Sequence, residues 1–364
     1  MTIILFLVIL AVLVFVHELG HFVAAKAFGI RVDEFAIGFP PKIFGWKKGE
    51  TQYSLNLIPF GGYVKIFGEN PDDESLVGAD SSRSFVNAKR WKQAIVLLAG
   101  IFMNIVFAWI LISISFNIGL TTSIQDEYKD KAKDVGVMIM AVQKDSPAEK
   151  AGIKEGDYVL SIKSGGVSLI FPSVELIQKT IAESENQITI EYKRNSATGT
   201  LDVISKDGVV EGKKAIGISM GLVGTVEFGF FQSFYEGAKL TGIETKNIAV
   251  GLYTFIASLF KGQSNIFAQV AGPIGIAGMV GEARSIGISY LLGFVAMISI
   301  NLAMLNLVPF PALDGGRVLF VGIEAIIRRR IKPAILNWTN GIGFLLLILL
   351  MIFVTYKDIL RLIK

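Results

Sequence analysis

The chain contains no cysteine, which excludes disulfides and removes the thiolate from the groups that can hold a metal ion. Histidine is nearly as scarce, with two in 364 residues. Any metal centre must therefore draw on those two imidazoles and on carboxylates. Charge is thin as well: Asp, Glu, Lys and Arg make up 18% of the residues, against about 25% in a typical soluble domain. Charged residues are missing altogether from three long stretches, 94–120, 285–313 and 333–356. The net charge of +4 is not gathered into one basic patch, so nucleic acid is not expected as a partner.

Apolar residues take the place of what is missing. They form 52% of the chain, and the mean hydropathy is +0.56. Crossing a bilayer as a helix takes about 20 mostly apolar residues, and each of the three uncharged stretches is long enough. A fourth, residues 1–16, is uncharged and runs into His17-Glu18-Leu19-Gly20-His21 before the apolar Phe22–Ala25. It spans only if those polar residues lie inside the membrane. A cleaved signal peptide would need a basic start and a small-residue cleavage site; the chain begins Met1-Thr2-Ile3, so the segment is expected to be retained. Lys89, Arg90 and Lys92 precede the second span, and Arg328, Arg329, Arg330 and Lys332 precede the fourth. By the positive-inside rule both connections are cytoplasmic. The region between spans two and three, and both termini, are then extracytoplasmic.

The expected architecture is a polytopic α-helical membrane protein of about four transmembrane helices, with a membrane-associated β-hairpin loop and one inserted α+β domain. Its parts are a first span (1–28), a cytoplasmic segment with the β-loop (29–92), a second span (93–120) and an extracytoplasmic domain (121–225). An amphipathic helix and connector (226–284), a third span (285–316), a cytoplasmic connector (317–332) and a fourth span with a tail (333–364) complete it. Within the β-loop, Tyr53 to Gly68 mixes β-formers with a break at Pro59-Phe60-Gly61-Gly62 and reads as a hairpin. It is either a small cytoplasmic element or a loop dipping toward the membrane, the latter allowed only where protein or a wet cavity satisfies its backbone.

The two histidines stand four residues apart with Glu18 after the first. One helical turn puts both imidazoles on one face, able to reach one metal ion, with the carboxylate beside them. Two histidines placed at random would show this spacing in about one pair in 180, before Glu18 is required. Ionisable groups inside an apolar span are costly and functional by default. A catalytic zinc site usually has three protein ligands, and the third must here be a carboxylate. Asp314, ending the uncharged run in Asn306-Leu307-Val308-Pro309-Phe310-Pro311-Ala312-Leu313-Asp314-Gly315-Gly316, is the strongest candidate; an Asp-Gly turn at the membrane boundary is the plainer alternative. A scaffold with structural zinc has no use for Glu18 beside the site, and a metal transporter should show more intramembrane ligands.

HExxH in the first span, Gly100-x-x-x-Asn104 in the second and the Asn306-to-Gly315 motif after the third together resemble the site-2 protease family, closest to the bacterial regulator-of-sigma-E proteases. Ala271-Gly272-Pro273-Ile274-Gly275 and the order of parts fit the same resemblance, which covers essentially the whole chain. Ser146-Pro147-Ala148, Ala151-Gly152 and Gly156-Asp157 resemble a bacterial protease-associated PDZ domain. Many relatives carry two such domains, and only one fits here. The resemblance implies one Zn²⁺ per chain held by His17, His21 and Asp314, with Glu18 as the catalytic base. Asn306, Pro309, Pro311, Gly61, Gly62 and Tyr63 would bind substrate, and Gly100 and Asn104 would support the site or pack helices, close packing being the plainer reading of Gly100. It further implies partners that are transmembrane protein substrates, such as anti-sigma factors or remnant signal peptides, cut after another protease has acted, within the lipid of a bacterial inner membrane. The active site would face the cytoplasmic side.

Overall fold

The computed structural model describes residues 2–70, 73–123, 131–184, 187–194, 197–210, 213–261 and 271–363. Helix α1 (Thr2–Ala27) is followed by strands β1 (Val32–Lys48) and β2 (Thr51–Ile66), short helix α2 (Asp73–Val77) and helix α3 (Arg90–Asn117). Next come β3 (Leu120–Ser123), β4 (Ala132–Val142), α4 (Pro147–Ala151), β5 (Tyr158–Ser164), β6 (Val167–Ile170), α5 (Val174–Glu183), β7 (Ile188–Arg194) and β8 (Ala197–Val203). Then β9 (Lys206–Val210), β10 (Lys213–Ala215) and β11 (Ile218–Val226) lead into α6 (Phe230–Phe260), α7 (Pro273–Ile286), α8 (Ile288–Leu307), α9 (Asp314–Ile327) and α10 (Pro333–Ile363). These elements form two compact units, one of residues 1–113, 234–281 and 293–364, the other of 114–233 and 282–292.

Among the described residues four helices, α1, α3, α8 and α10, are long and apolar enough to cross a membrane. The third span is shorter than its uncharged run: α8 stops at Leu307 instead of continuing through residue 316. Pro309 and Pro311 explain the stop, since each lacks an N–H and disfavours helical backbone in the residue before it. The chain turns through Val308–Leu313, and Asp314 opens a new helix, α9, which runs through much of the expected 317–332 connector. Where an amphipathic helix and connector were expected over 226–284, the described residues form α6 and then α7, which runs on to Ile286.

The β-loop also differs from a simple hairpin. The two arms on either side of the break in β2 are not paired with each other, because β1 lies between them: Phe35 is registered with both Val64 and Tyr53, and Ala36 with both Tyr63 and Ser54. Gly62 allows the closeness, for a Cβ there would lie 2.6 Å from the carbonyl oxygen of Ala36. This sheet packs on α1. Phe35 meets Phe15 and Phe22 with ring centroids 5.6 and 5.1 Å apart, and Tyr53 meets Phe22 at 6.1 Å. At 1.5 Å per residue, Phe15 and Phe22 lie about 20 and 30 Å along a helix of about 39 Å, so the sheet stands at the depth of the span. Exposed Ile43, Phe44 and Trp46 on β1 suit lipid better than water.

At the end of α1, Glu50 between the two strands accepts hydrogen bonds from Lys26 and Arg83 at 2.7 Å each. These cations, Arg83 foremost, hold its carboxyl well down, at about 2. A depressed carboxyl stabilises the fold above its ordinary pKa and loses that contribution as pH falls through the folded value. In detergent, the melting-temperature gap between the chain and Glu50→Gln should be widest above about pH 5 and shrink as pH drops from about 4.5 toward 2. A gap that does not change with pH would count against the ion pairs.

In the second unit a seven-stranded sheet runs β3-β11-β4-β5-β7-β8, with β6 on β5, over a core that includes Ile139, Ile162, Ile177, Ile188 and Ile190. The Ser-Pro-Ala and Ala-Gly residues bound α4: the Ser146 hydroxyl accepts from Glu149 N–H at 3.2 Å, Pro147 fills the first turn and Gly152 ends the helix at φ 88°, as capping preferences dictate. Fully buried Asp157 accepts both Arg194 Nε and Nη2 at 2.6 and 2.7 Å, fixing the start of β5 to the end of β7. These motif residues build the module; their polar groups are spent on its own backbone and core.

Candidate metal centre

Helix α1 buries one stripe, Ile9, Leu13, His17, Gly20, His21 and Ala25, which is the i, i+4 face of a helix. The histidines therefore point inward for the same reason that Leu13 does. They face α3, and the two helices touch closely because Gly20 has no side chain: a Cβ there would lie 2.3 Å from Ala99 O. Gly100 shares this close contact, its Cα 2.9 Å from where that Cβ would stand. Gly100 also leaves room for the imidazoles, since a Cβ on it would stand 2.5 Å from His21 Nε2 and 2.8 Å from His17 Cε1.

The break after α8 delivers Asp314 to the same point. Gly315 and Gly316 allow the tight start of α9: a Cβ on Gly315 would lie 2.3 Å from Leu307 O, and one on Gly316 would lie 2.2 Å from Phe310 O. Asp314 Oδ2 is then 2.9 Å from His17 Nε2 and 3.3 Å from His21 Nε2, and the two imidazole nitrogens are 3.2 Å apart. Zinc bonded at about 2.0 Å in a tetrahedron has ligand atoms about 3.3 Å from one another. Two imidazoles and a carboxylate are a common donor set for zinc, and three atoms converging at that spacing fit the ion. Residues 297 positions apart in the sequence are brought together as the sequence argument required.

The second layer of contacts prepares the donors. His21 Nδ1 donates to the carbonyl of Val96 at 2.8 Å, so its Nε2 carries the free lone pair. His17 Nδ1 lies 3.3 Å from the side-chain amide of Asn104, whose Oδ1 has no hydrogen-bond partner among the described residues. With the amide turned so that Oδ1 accepts from the ring N–H, His17 too presents a bare Nε2. The Ser299 hydroxyl donates to the Asn104 backbone carbonyl at 2.8 Å, tying α8 to α3 beside the site.

Glu18 follows His17 and is half-buried; the Val64 N–H of β2 donates to its Oε2 at 3.0 Å. This links the loop to the site through a backbone group, which leaves no signature in sequence. Asn306 Nδ2 lies 3.4 Å from His17 Nε2, at the edge of the donor cluster. The other residues expected at a substrate site have different surroundings. Gly61 (φ 98°) turns the chain against Phe39 and Val14, Gly62 abuts β1, and the Tyr63 hydroxyl donates to Glu34 Oε2 at 3.0 Å. Pro309 and Pro311 shape the break between α8 and α9.

Comparison with known proteins agrees with this geometry. The model of peptidase family M50 matches residues 5–350. A Clostridium perfringens protein named as a candidate zinc metalloprotease is 37% identical, over 99% of this chain and 98% of its own. The zinc metalloprotease RasP of Oceanobacillus iheyensis is 30% identical and the regulator of sigma-W protease RasP of Bacillus subtilis 29%, each over 99% of both chains.

Proposed function

The chain belongs to peptidase family M50, the site-2 protease family of zinc metalloproteases, and from that premise we propose that it hydrolyses peptide bonds within transmembrane segments of single-span proteins. The observation that supports the reading best is the convergence of His17, His21 and Asp314 inside the helical unit, with Glu18 beside them. Zinc, when bound by those three, supplies a Lewis acid that polarises a carbonyl and acidifies water. The chain's own residues do the rest. Glu18, held at Oε2 by β2, takes the proton of the attacking water and returns it to the leaving amine. The Asn306 amide, 3.4 Å from His17 Nε2, donates to the substrate backbone in this reading. A substrate helix must first unwind, because a helix hides its peptide groups in its own hydrogen bonds; the sheet of β1 and β2, standing beside the site, offers an extended neighbour to the unwound strand.

In this reading the module from β3 to β11 is a single extracytoplasmic PDZ domain, supported by its Ser-Pro-Ala, Ala-Gly and Gly-Asp positions, and the site faces the cytoplasmic side of a bacterial inner membrane. Substrates are membrane proteins already shortened by another protease, of the anti-sigma or remnant signal-peptide kind. Purified in detergent, the chain should hold about one zinc per molecule and cleave a single-span test protein. A chelator should remove both properties and zinc restore them. Zinc-loaded protein that leaves several single-span proteins intact would overturn the proposal.

A further inference from the structure

The carboxylate donor depends on a strained stretch of chain. Ala312, two residues before Asp314, has φ 73°, a left-handed conformation that is strained for a residue with a side chain. Such a conformation persists only where the surroundings enforce it. On the inner side, Leu313 N–H donates to Phe310 O at 3.1 Å, and Gly315 and Gly316 seat α9 on the carbonyls of residues 307–310. On the other side lies α10. Its Asn340 accepts from the Ala312 N–H through Oδ1 at 3.3 Å. One turn on, buried Gly343 lets α10 lie flush against the loop, where a Cβ would be 2.5 Å from Pro311 O. Two positions on one face of α10 thus grip the two residues that lead into Leu313 and Asp314.

We infer that Asn340 is a positioning residue for the metal centre, holding Ala312 in its left-handed conformation so that Asp314 Oδ2 reaches the two imidazoles. The inference rests on the proposed metal site. It gives the last span a task in the chemistry, although α10 contributes no donor: a shift of α10 would pull on the third ligand through the Ala312 peptide.

The test is zinc retention by purified protein against a graded chelator, with cleavage of a single-span protein measured alongside. Asn340→Ala should weaken zinc retention about five- to tenfold, the effect of one lost hydrogen bond acting behind a ligand. Asn340→Asp keeps an acceptor oxygen and should stay near the parent. Ala312→Gly removes the strain without the bond, because glycine adopts positive φ freely; placed in the Asn340→Ala background it should recover most of the lost retention. Parent-like retention in Asn340→Ala, or no recovery in the double variant, would overturn the inference. Asp314→Ala separates this from the parent reading. If it lowers zinc retention while Asn340→Ala does not, only the role of Asn340 falls; if neither does, the metal site itself is wrong.

Discussion

Glu18→Gln should keep its zinc and lose cleavage by about three orders of magnitude, within the range that a positioned general base contributes. The substitution is nearly isosteric. A glutamine side chain still offers an oxygen to the Val64 N–H that reaches Glu18 Oε2 at 3.0 Å, so the tie between α1 and the sheet survives. The three donors are other residues, and their separations of 2.9 to 3.3 Å do not depend on Glu18. What disappears is the capacity to accept a proton. Zinc content by elemental analysis and cleavage of a single-span protein, measured on the same preparation, decide the matter. A zinc-loaded Gln variant that cleaves at the parent rate would assign the base elsewhere. Loss of zinc together with activity would make Glu18 a structural member of the centre.

Much of this centre is legible in sequence because its chemistry is expensive. Two imidazoles and a carboxylate inside an apolar span, at one helical turn, admit few explanations, and the absence of cysteine forces the third donor to be an acid. The apolar runs likewise mark the four described helices that are long and apolar enough to cross a membrane. The loop between α8 and α9 was less legible: absence of charge persists through Leu313, but the helix ends at Leu307, since hydropathy reports solvent and prolines report backbone. Gly20 and Gly100 show the same limit. Both are glycines facing a neighbouring helix, yet one faces backbone and the other faces imidazole, a distinction that only coordinates can make. Val64 and Val96 act through backbone groups, for which any side chain would read alike. The pairing of β1 between the arms of β2 is not legible because the Pro59-Phe60-Gly61-Gly62 break signals a turn without naming the strand that fills it.

Gly100→Ala should cost the chain its zinc and most of its cleavage, although it adds a single methyl group. A methyl group in an otherwise tolerant helix costs little and usually favours the helix, since alanine is the better helix former by about 1 kcal/mol. At residue 100 the added carbon would sit 2.5 Å from His21 Nε2 and 2.8 Å from both ring Cε1 atoms, far inside van der Waals contact. The imidazoles cannot retreat without cost: His21 is anchored to Val96 O at 2.8 Å and His17 lies against Asn104 at 3.3 Å. The expected result is a protein that folds and inserts normally but has lost zinc and about a hundredfold in cleavage, the upper end of what positions behind a metal ligand show. Gly20→Ala provides the contrast, because its clash is with the Ala99 backbone; it should push α1 from α3 and lower thermal stability. Zinc content against melting temperature then separates the two glycines. A Gly100→Ala protein with full zinc and full activity would mean that the rings have room that their packing against α3 denies.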